Sequence, residues 1–298
     1  MLTLRTLTLA IAITGLLSTP LLAATPNAQP VRILASLPIT YGLSDLLLKD
    51  TGVTLERAAA ANLPGSRQSA YFSGRGAPAL QKLAENADAV VGVRSLWSDD
   101  PLYPMARRSN IRIVEVDAAR PVDGSLPGIA VQPGVHSDGL NSQPWLASNN
   151  MGRMADVIAA DLVRLAPAAK PKIEANLASL KQRLLKLSAD SEAQLAKAEN
   201  VSVVSVSDRL DYLISGLNLE RLDVAHKGDE PWTPDALKAL TQTLKDNDVA
   251  LVLDHREPSP ELKAAIAEGG SQLVVVNAEG ADPVADLQST IDAIVKAL

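Results

Sequence analysis

The longest regular alternation of apolar and polar positions runs from Ala168 to Asn200, AAKPKIEANLASLKQRLLKLSADSEAQLAKAEN. Ile173, Leu177, Leu180, Leu184, Leu187 and Leu195 recur mainly at steps of three and four, with Lys, Glu, Gln and Arg between them. That spacing places one apolar stripe along a helix. Pro171 suits a first turn, where its missing N–H costs nothing, and no Gly or Pro follows it in the stretch. About 28 residues at ~1.5 Å each give a rod of roughly 40 Å. Mixed strand and helix patterns lie on either side, so the spacing predicts a brace between two lobes.

On the amino side, VRILASLP (31–38) has the length and apolar content of a strand stopped by Pro38. A helix over Tyr41–Lys49 and a strand over Val53–Arg57 follow. The Gly-, Ser- and Pro-rich residues 62–78 are expected as a loop. ALQKLAENA then predicts a helix, ADAVVGV a buried strand, PLYPMARRS a short helix and IRIVEVD a strand. Residues 118–144, with Pro121, Pro127, Pro133 and Pro144, carry no periodicity and form the longest irregular stretch. NNMGRMADVIAADLVRLAP fits a helix with Met151, Met154, Val157, Ile158 and Leu162 inward.

After the brace, the plan repeats. VSVVSVS predicts a strand, DRLDYLISGL a helix, and TPDALKALTQTLKDN a helix capped by Thr233. VALVLD is a buried strand, SPELKAAIAEGG a helix, QLVVVN a strand and DPVADLQSTIDAIVKAL a final helix. Alternating elements imply mainly parallel sheets with right-handed crossovers. The expected fold class is therefore α/β, two mainly parallel-sheet lobes joined by a long rigid helix, divided as 25–167, 168–200 and 201–298. The matching openings VRILASLP and VSVVSVS point to duplicated architecture. Ligands in such sheets bind beyond the carboxyl ends of the strands, and two lobes can turn those ends toward one cleft.

The first 24 residues stand outside this scheme. Arg5, an apolar core from Leu7 to Leu17 and small residues at Ala23 and Ala24 have the form of an export signal cut near Ala23 or Ala24. The apolar run is shorter than the ~20 residues a membrane span needs, and Pro20 interrupts its end. The expectation is a soluble, exported protein. The sequence has no cysteine, which excludes disulfides, Cys-ligated zinc, thiol nucleophiles and a lipid-bearing Cys. A formal charge of -6 and 3% aromatics argue against nucleic acid and stacking grooves. No P-loop occurs, GRGAP (74–78) is too short for a dinucleotide fingerprint, and no Ser–His–Asp order has local support, so an enzyme is not expected.

Four segments carry a family resemblance. WLASNNMGRMADVIAADL (145–162) resembles the signature H-x-W-L-D-P-x-N-A-x-x-M-A-x-x-I-A-x-x-L at Trp145, Leu146, Asn150, Met154, Ala155, Ile158, Ala159 and Leu162. GDEPWTPDALKAL resembles an E-P-S-x-x-x-L segment at Glu230 and Pro231, PGSRQSAY a G-x-x-P-H-x-Y loop, and VRILASLPITYGL the family's opening strand and helix. Together they resemble the periplasmic solute-binding proteins of zinc and manganese ABC importers, over essentially all of the chain after residue 24. The resemblance implies a monomer that carries zinc or manganese, free or chelated, between its lobes and delivers it to an inner-membrane ABC permease. It also implies a ligand set of three His and one Asp or Glu.

Those ligand positions fall here on Ser69, Gln143, Ser207 and Asn277. Neutral oxygen donors of this kind form a poor site for free Zn²⁺ or Mn²⁺, which are held by imidazole, thiolate or carboxylate. Two readings stay open. Displaced ligands for the metal could come from His136, Asp208, His255 and Glu257, with His226 and Asp254 as further candidates. Alternatively Ser69, Tyr71, Gln143, Ser207 and Asn277 line a polar cleft for a neutral or chelated ligand. Arg67 and Arg75 would then supply positive charge for an anionic metal chelate. The competing functional class is an accessory or interaction protein on the same fold that has lost metal binding.

Overall fold

The computed structural model describes residues 30–122, 124, 126–131, 143–225 and 230–298. The expected export signal, His136 and His226 lie outside the described residues.

Two four-stranded parallel sheets form the frame. The first is built from β1 (Arg32–Ala35), β2 (Thr54–Arg57), β3 (Ala89–Gly92) and β4 (Val114–Asp117), in the order β2-β1-β3-β4. The second uses β5 (Ser202–Ser205), β6 (Glu220–Leu222), β7 (Leu251–Asp254) and β8 (Gln272–Val275), in the order β6-β5-β7-β8. The central pairings correspond: Ile33 lies between Leu55 and Ala89, as Val203 lies between Arg221 and Leu251. Both sheets thus share one winding order, in agreement with the duplicated openings. The middle strands are fully buried apolar runs, as a sheet covered on both faces demands.

Helices α1 (Pro38–Leu48), α5 (Ser148–Leu165), α6 (Lys170–Leu195) and α10 (Pro283–Ala297) fill the space between the sheets. The predicted brace is α6, 26 residues long, with Pro171 in its first turn. Ile173, Leu180, Leu184, Leu187 and Leu195 are buried along it, while Leu185, off the stripe, is 72% exposed. These residues belong to one apolar cluster that runs from Ile33 and Leu43 through Met154 and Leu184 to Leu213 and Ile291. Each fully buried side chain of this size contributes about 1.5–3 kcal/mol. The lobes therefore share a single core.

Polar contacts fix the ends of this seam. Asn176 of α6 donates to Leu47 O at 2.9 Å and Lys49 O at 2.8 Å, satisfying carbonyls left open at the end of α1. Arg183 of α6 reaches Asp282 at 2.7 Å, and Asp282 also caps α10 by accepting from Val284 N and Ala285 N. Gly42 on α1 is the point of closest approach: a Cβ there would stand 2.6 Å from Pro283 Cδ and 2.9 Å from Ala281 O.

The outer faces are covered by α2 (Gly65–Ser73), α3 (Ala77–Glu85) and α4 (Leu102–Ser109) on the first sheet. On the second lie α8 (Pro234–Asp246), capped by Thr233 as predicted, and α9 (Pro260–Glu268). The short α7 (Asp211–Gly216) packs against a 3₁₀ turn at Pro144–Leu146. The sequence expectation errs in two places. Residues 62–78 contain α2 where a loop was expected. Phe72 and Gln68, four apart, bury one face against the sheet, and that tertiary contact outweighs the Gly and Ser propensities. The three-residue edge strand β6, Glu220–Leu222, has no apolar run to announce it.

Asp100 is a buried carboxylate in the first lobe, accepting from Val93 N at 2.9 Å and Leu102 N at 3.2 Å. Burial pushes its pKa up, against the lowering effect of the two backbone donors. A raised folded-state pKa means that the folded chain takes up this proton before the unfolded chain does, so the group favours folding more as pH falls toward its ordinary value near 3.8. Asp100→Asn turns one N–H donor against an NH₂ and is expected to cost about 1–3 kcal/mol at neutral pH. Calorimetric melting should show the gap between wild type and this variant widening from about pH 7 to 4. Gly42→Ala is expected to destabilise by about 1–3 kcal/mol through overpacking, and small-angle scattering should report a larger radius of gyration as the lobes part.

Candidate functional site

The carboxyl ends of both sheets open onto one cavity of about 110 Å³ between the lobes. Its first wall comes from Leu37, Pro38 and Ile39, where β1 passes into α1, and from Pro64, Gly65 and Ser66, where α2 begins. Arg209, beyond β5, and Ala278 and Glu279, beyond β8, form the second wall, with Gln143 and Trp145 at the lobe junction.

The electrostatics follow from how these elements start. Neither α1 nor α2 has a side-chain cap or an acidic residue in its first turn. Their free backbone N–H groups and the positive ends of their dipoles therefore lie at the cavity wall. The Arg209 guanidinium adds a full positive charge, and the exposed Glu279 is the one carboxylate on the described lining. The combination favours a ligand with negative charge that also presents a donor or cationic part.

Gln143 takes part directly. It lines the cavity with left-handed backbone, φ 38° and ψ 59°, a conformation that costs a non-glycine residue about 1–2 kcal/mol. Strain of this kind collects where a side chain must be aimed. Ser207 and Asn277 act one step back. Ser207 Oγ accepts from Arg209 N at 3.2 Å, and Asn277 Oδ1 accepts from Glu279 N at 3.2 Å. Each closes a tight turn that presents the charged residue two positions later. Ser69 is exposed on α2 and is not on the lining; Tyr71 packs against Gly76 and under Arg75, whose guanidinium lies 5.6 Å from its ring. The buried Gln68 instead faces the end of β1, donating to Ser36 O at 3.3 Å, with Oε1 unpartnered among the described residues.

Of the displaced-ligand candidates, Asp208, Asp254, His255 and Glu257 are among the described residues, and His136 and His226 are not. Among the described residues no three His, Cys, Asp or Glu side chains lie close enough to hold a metal ion. Asp254 Oδ1 accepts from His255 N at 2.7 Å and closes the turn after β7, and His255 Nδ1 lies 3.3 Å from the same oxygen without a hydrogen bond among the described residues. Glu257 is exposed and ion-paired with Lys263, and Asp208 is exposed. Sequence reasoning missed Ser66, Arg209 and Glu279. The available signal was their position two or three residues from the candidates it did name.

A family model described as zinc-uptake complex component A, periplasmic (ZnuA) matches residues 77–298. The chain belongs to the ZnuA family. Members are periplasmic binding components of metal uptake, a role without catalysis, and no described helix of this member is long and apolar enough to cross a membrane. Solved structures share the ZnuA-family fold. A crystal structure of ZnuA has TM-score 0.69 at 20% identity, covering 90% of this chain and 99% of that one. The solute-binding protein FpvC from Pseudomonas aeruginosa, in complex with Mn²⁺, has TM-score 0.68 at 21% identity, covering 90% and 98%. The metal-dependent lipoprotein YcdH from Bacillus subtilis has TM-score 0.68 at 17% identity, covering 90% and 99%. No curated protein matches the sequence.

Gln143→Gly tests the strain in this ZnuA-family cleft. Relief of the left-handed conformation, about 1–2 kcal/mol, exceeds the added chain entropy of glycine, about 0.5–1 kcal/mol. The variant should melt at a slightly higher temperature than wild type while losing the carboxamide from the cavity.

Proposed function

We propose that this chain is the periplasmic substrate-binding component of a metal-type ABC importer and that its cargo is a small anionic metal complex held between the lobes. The observation that carries the reading is the lining itself: two uncapped helix N-termini, Arg209 and Gln143, with a single described carboxylate. Such a wall repels a bare divalent cation and attracts a chelate whose carboxylates or similar oxyanions carry net negative charge. The metal then needs no protein ligand, because the chelator supplies its coordination shell. Gln143 and Ser66 add neutral hydrogen-bonding groups that fix orientation.

The cavity volume of about 110 Å³ is small beside the ~300–1,000 Å³ typical of drug-sized ligands. The cargo is therefore compact, or the lobes part further when it enters. Because α6 and the shared core join the lobes without a loop hinge, the opening is a small rigid-body adjustment. Delivery to a permease completes the role, with the mouth of the cleft formed by both lobes.

Calorimetric titration of the mature, metal-stripped protein tests this. Zinc citrate, an anionic chelate, should give binding heat, and bare Zn²⁺ or Mn²⁺ should give none at micromolar concentration. Arg209→Gln removes a charged hydrogen bond of about 1.5–3 kcal/mol and should weaken chelate binding about 10- to 150-fold. Micromolar binding of bare Zn²⁺ would sink the chelate reading, and absence of heat with every form would sink the transport reading.

A further inference from the structure

The end of the first lobe farthest from the cleft carries a feature that solute binding does not use. Between α4 and β4 the chain makes a tight turn at the amino end of β4, whereas the cleft lies at the carboxyl ends of the strands. At this turn Ile111 is 75% exposed and Val114 45% exposed, in a chain whose other apolar side chains are overwhelmingly buried. Arg107 and Arg108 in the last turn of α4 and Arg112 in the turn itself flank them in sequence, all exposed, and exposed Lys82 stands in the last turn of the adjoining α3. Among the described residues none of the four has a carboxylate within ion-pair distance; Arg107 instead donates to Tyr103 Oη at 2.7 Å. Two exposed acids lie nearby, Glu85, which accepts from Gln81, and Asp88, which accepts from Arg32 N; neither donor neutralises a carboxylate, so four cations stand against two acids at this corner.

The turn is preformed. Asn110 Nδ2 donates to Ala84 O at 2.9 Å and Ala87 O at 2.8 Å, and its Oδ1 accepts from Arg112 N at 3.1 Å. Ile113, 2% exposed, pins the far side into the outer core. An apolar tip held rigidly beside exposed cations would lose little conformational entropy on docking.

From this geometry we infer that the α4–β4 turn is a contact site for an anionic phospholipid surface. Ile111 and Val114 enter the headgroup boundary, and Lys82, Arg107, Arg108 and Arg112 lie over the phosphates. Charge complementarity selects this occupant: the chain as a whole carries -6, so an anionic bilayer repels most of its surface and admits this corner. Attachment here leaves the mouth of the cleft, at the other end of the lobe, free. It is a resting contact and depends on no particular cargo.

Sedimentation of the mature protein with vesicles tests the inference. Vesicles of phosphatidylcholine with about 30 mol% phosphatidylglycerol should carry the protein down, and pure phosphatidylcholine should not. Raising salt from about 20 to 200 mM should abolish most binding. Arg107→Gln, Arg108→Gln and Arg112→Gln should each lower the partition coefficient about fivefold. Ile111→Ser should lower it with the salt dependence unchanged. All four positions are exposed, so melting temperatures should match wild type, which separates lost docking from lost folding. Equal binding to both vesicle types, or variants that bind as wild type does, would overturn the inference. Failure to bind phosphatidylglycerol vesicles at low salt would also overturn it and leave the turn to an acidic protein partner. None of these outcomes depends on the cargo.

Discussion

The apolar seam along α6 is the constraint on which the rest of this molecule depends. Ile173, Leu180, Leu184, Leu187 and Leu195 are buried simultaneously by α1 and α5 of one lobe and α10 of the other. Separating the lobes would expose that whole stripe to water, so large opening motions are suppressed by hydrophobic cost and by the stiffness of an unbroken helix. The same seam brings the carboxyl ends of two sheets to one place. Asn176 and Arg183, both on α6, then set where α1 ends and where α10 begins.

The cleft inherits its character from those fixed ends. Because α1 and α2 start at the cavity without acidic caps, the first lobe presents partial positive charge from its backbone alone. The second lobe presents opposite formal charges, Arg209 and Glu279, each placed by a turn that a short polar side chain closes. Ser207 and Asn277 thus shape the loops from which those charges project.

Much of the fold was legible in the sequence. The strands at 32–35, 89–92, 202–205 and 251–254 each carry two or three consecutive buried apolar residues, the mark of a strand covered on both faces. The cap at Thr233 lies where the sequence placed it, its side chain accepting from Ala236 N. α2 escaped because its helical state rests on burial of Gln68 and Phe72 against the sheet, and Gly65, Ser66 and Ser69 give local propensity no reason to form it. β6 escaped because two of its three residues are exposed, so no periodicity marks it. The region of the cleft was legible from the strand ends, and Gln143 lies on its lining, but Ser66, Arg209 and Glu279 stand two or three positions from the residues named.

What the sequence by itself determined is the kind of most elements, the two-lobed α/β plan and the long helix between the lobes. Those features depend on hydrophobic periodicity and residue identity, which are local and additive. What only the tertiary structure decided is which side chains meet. Asn176 and Leu47 are 129 residues apart, Gly42 and Pro283 touch across the lobes, and Arg209 reaches the cavity through a turn closed by one serine hydroxyl. Such contacts depend on distances of a few tenths of an ångström between segments remote in the chain, and no local pattern encodes them.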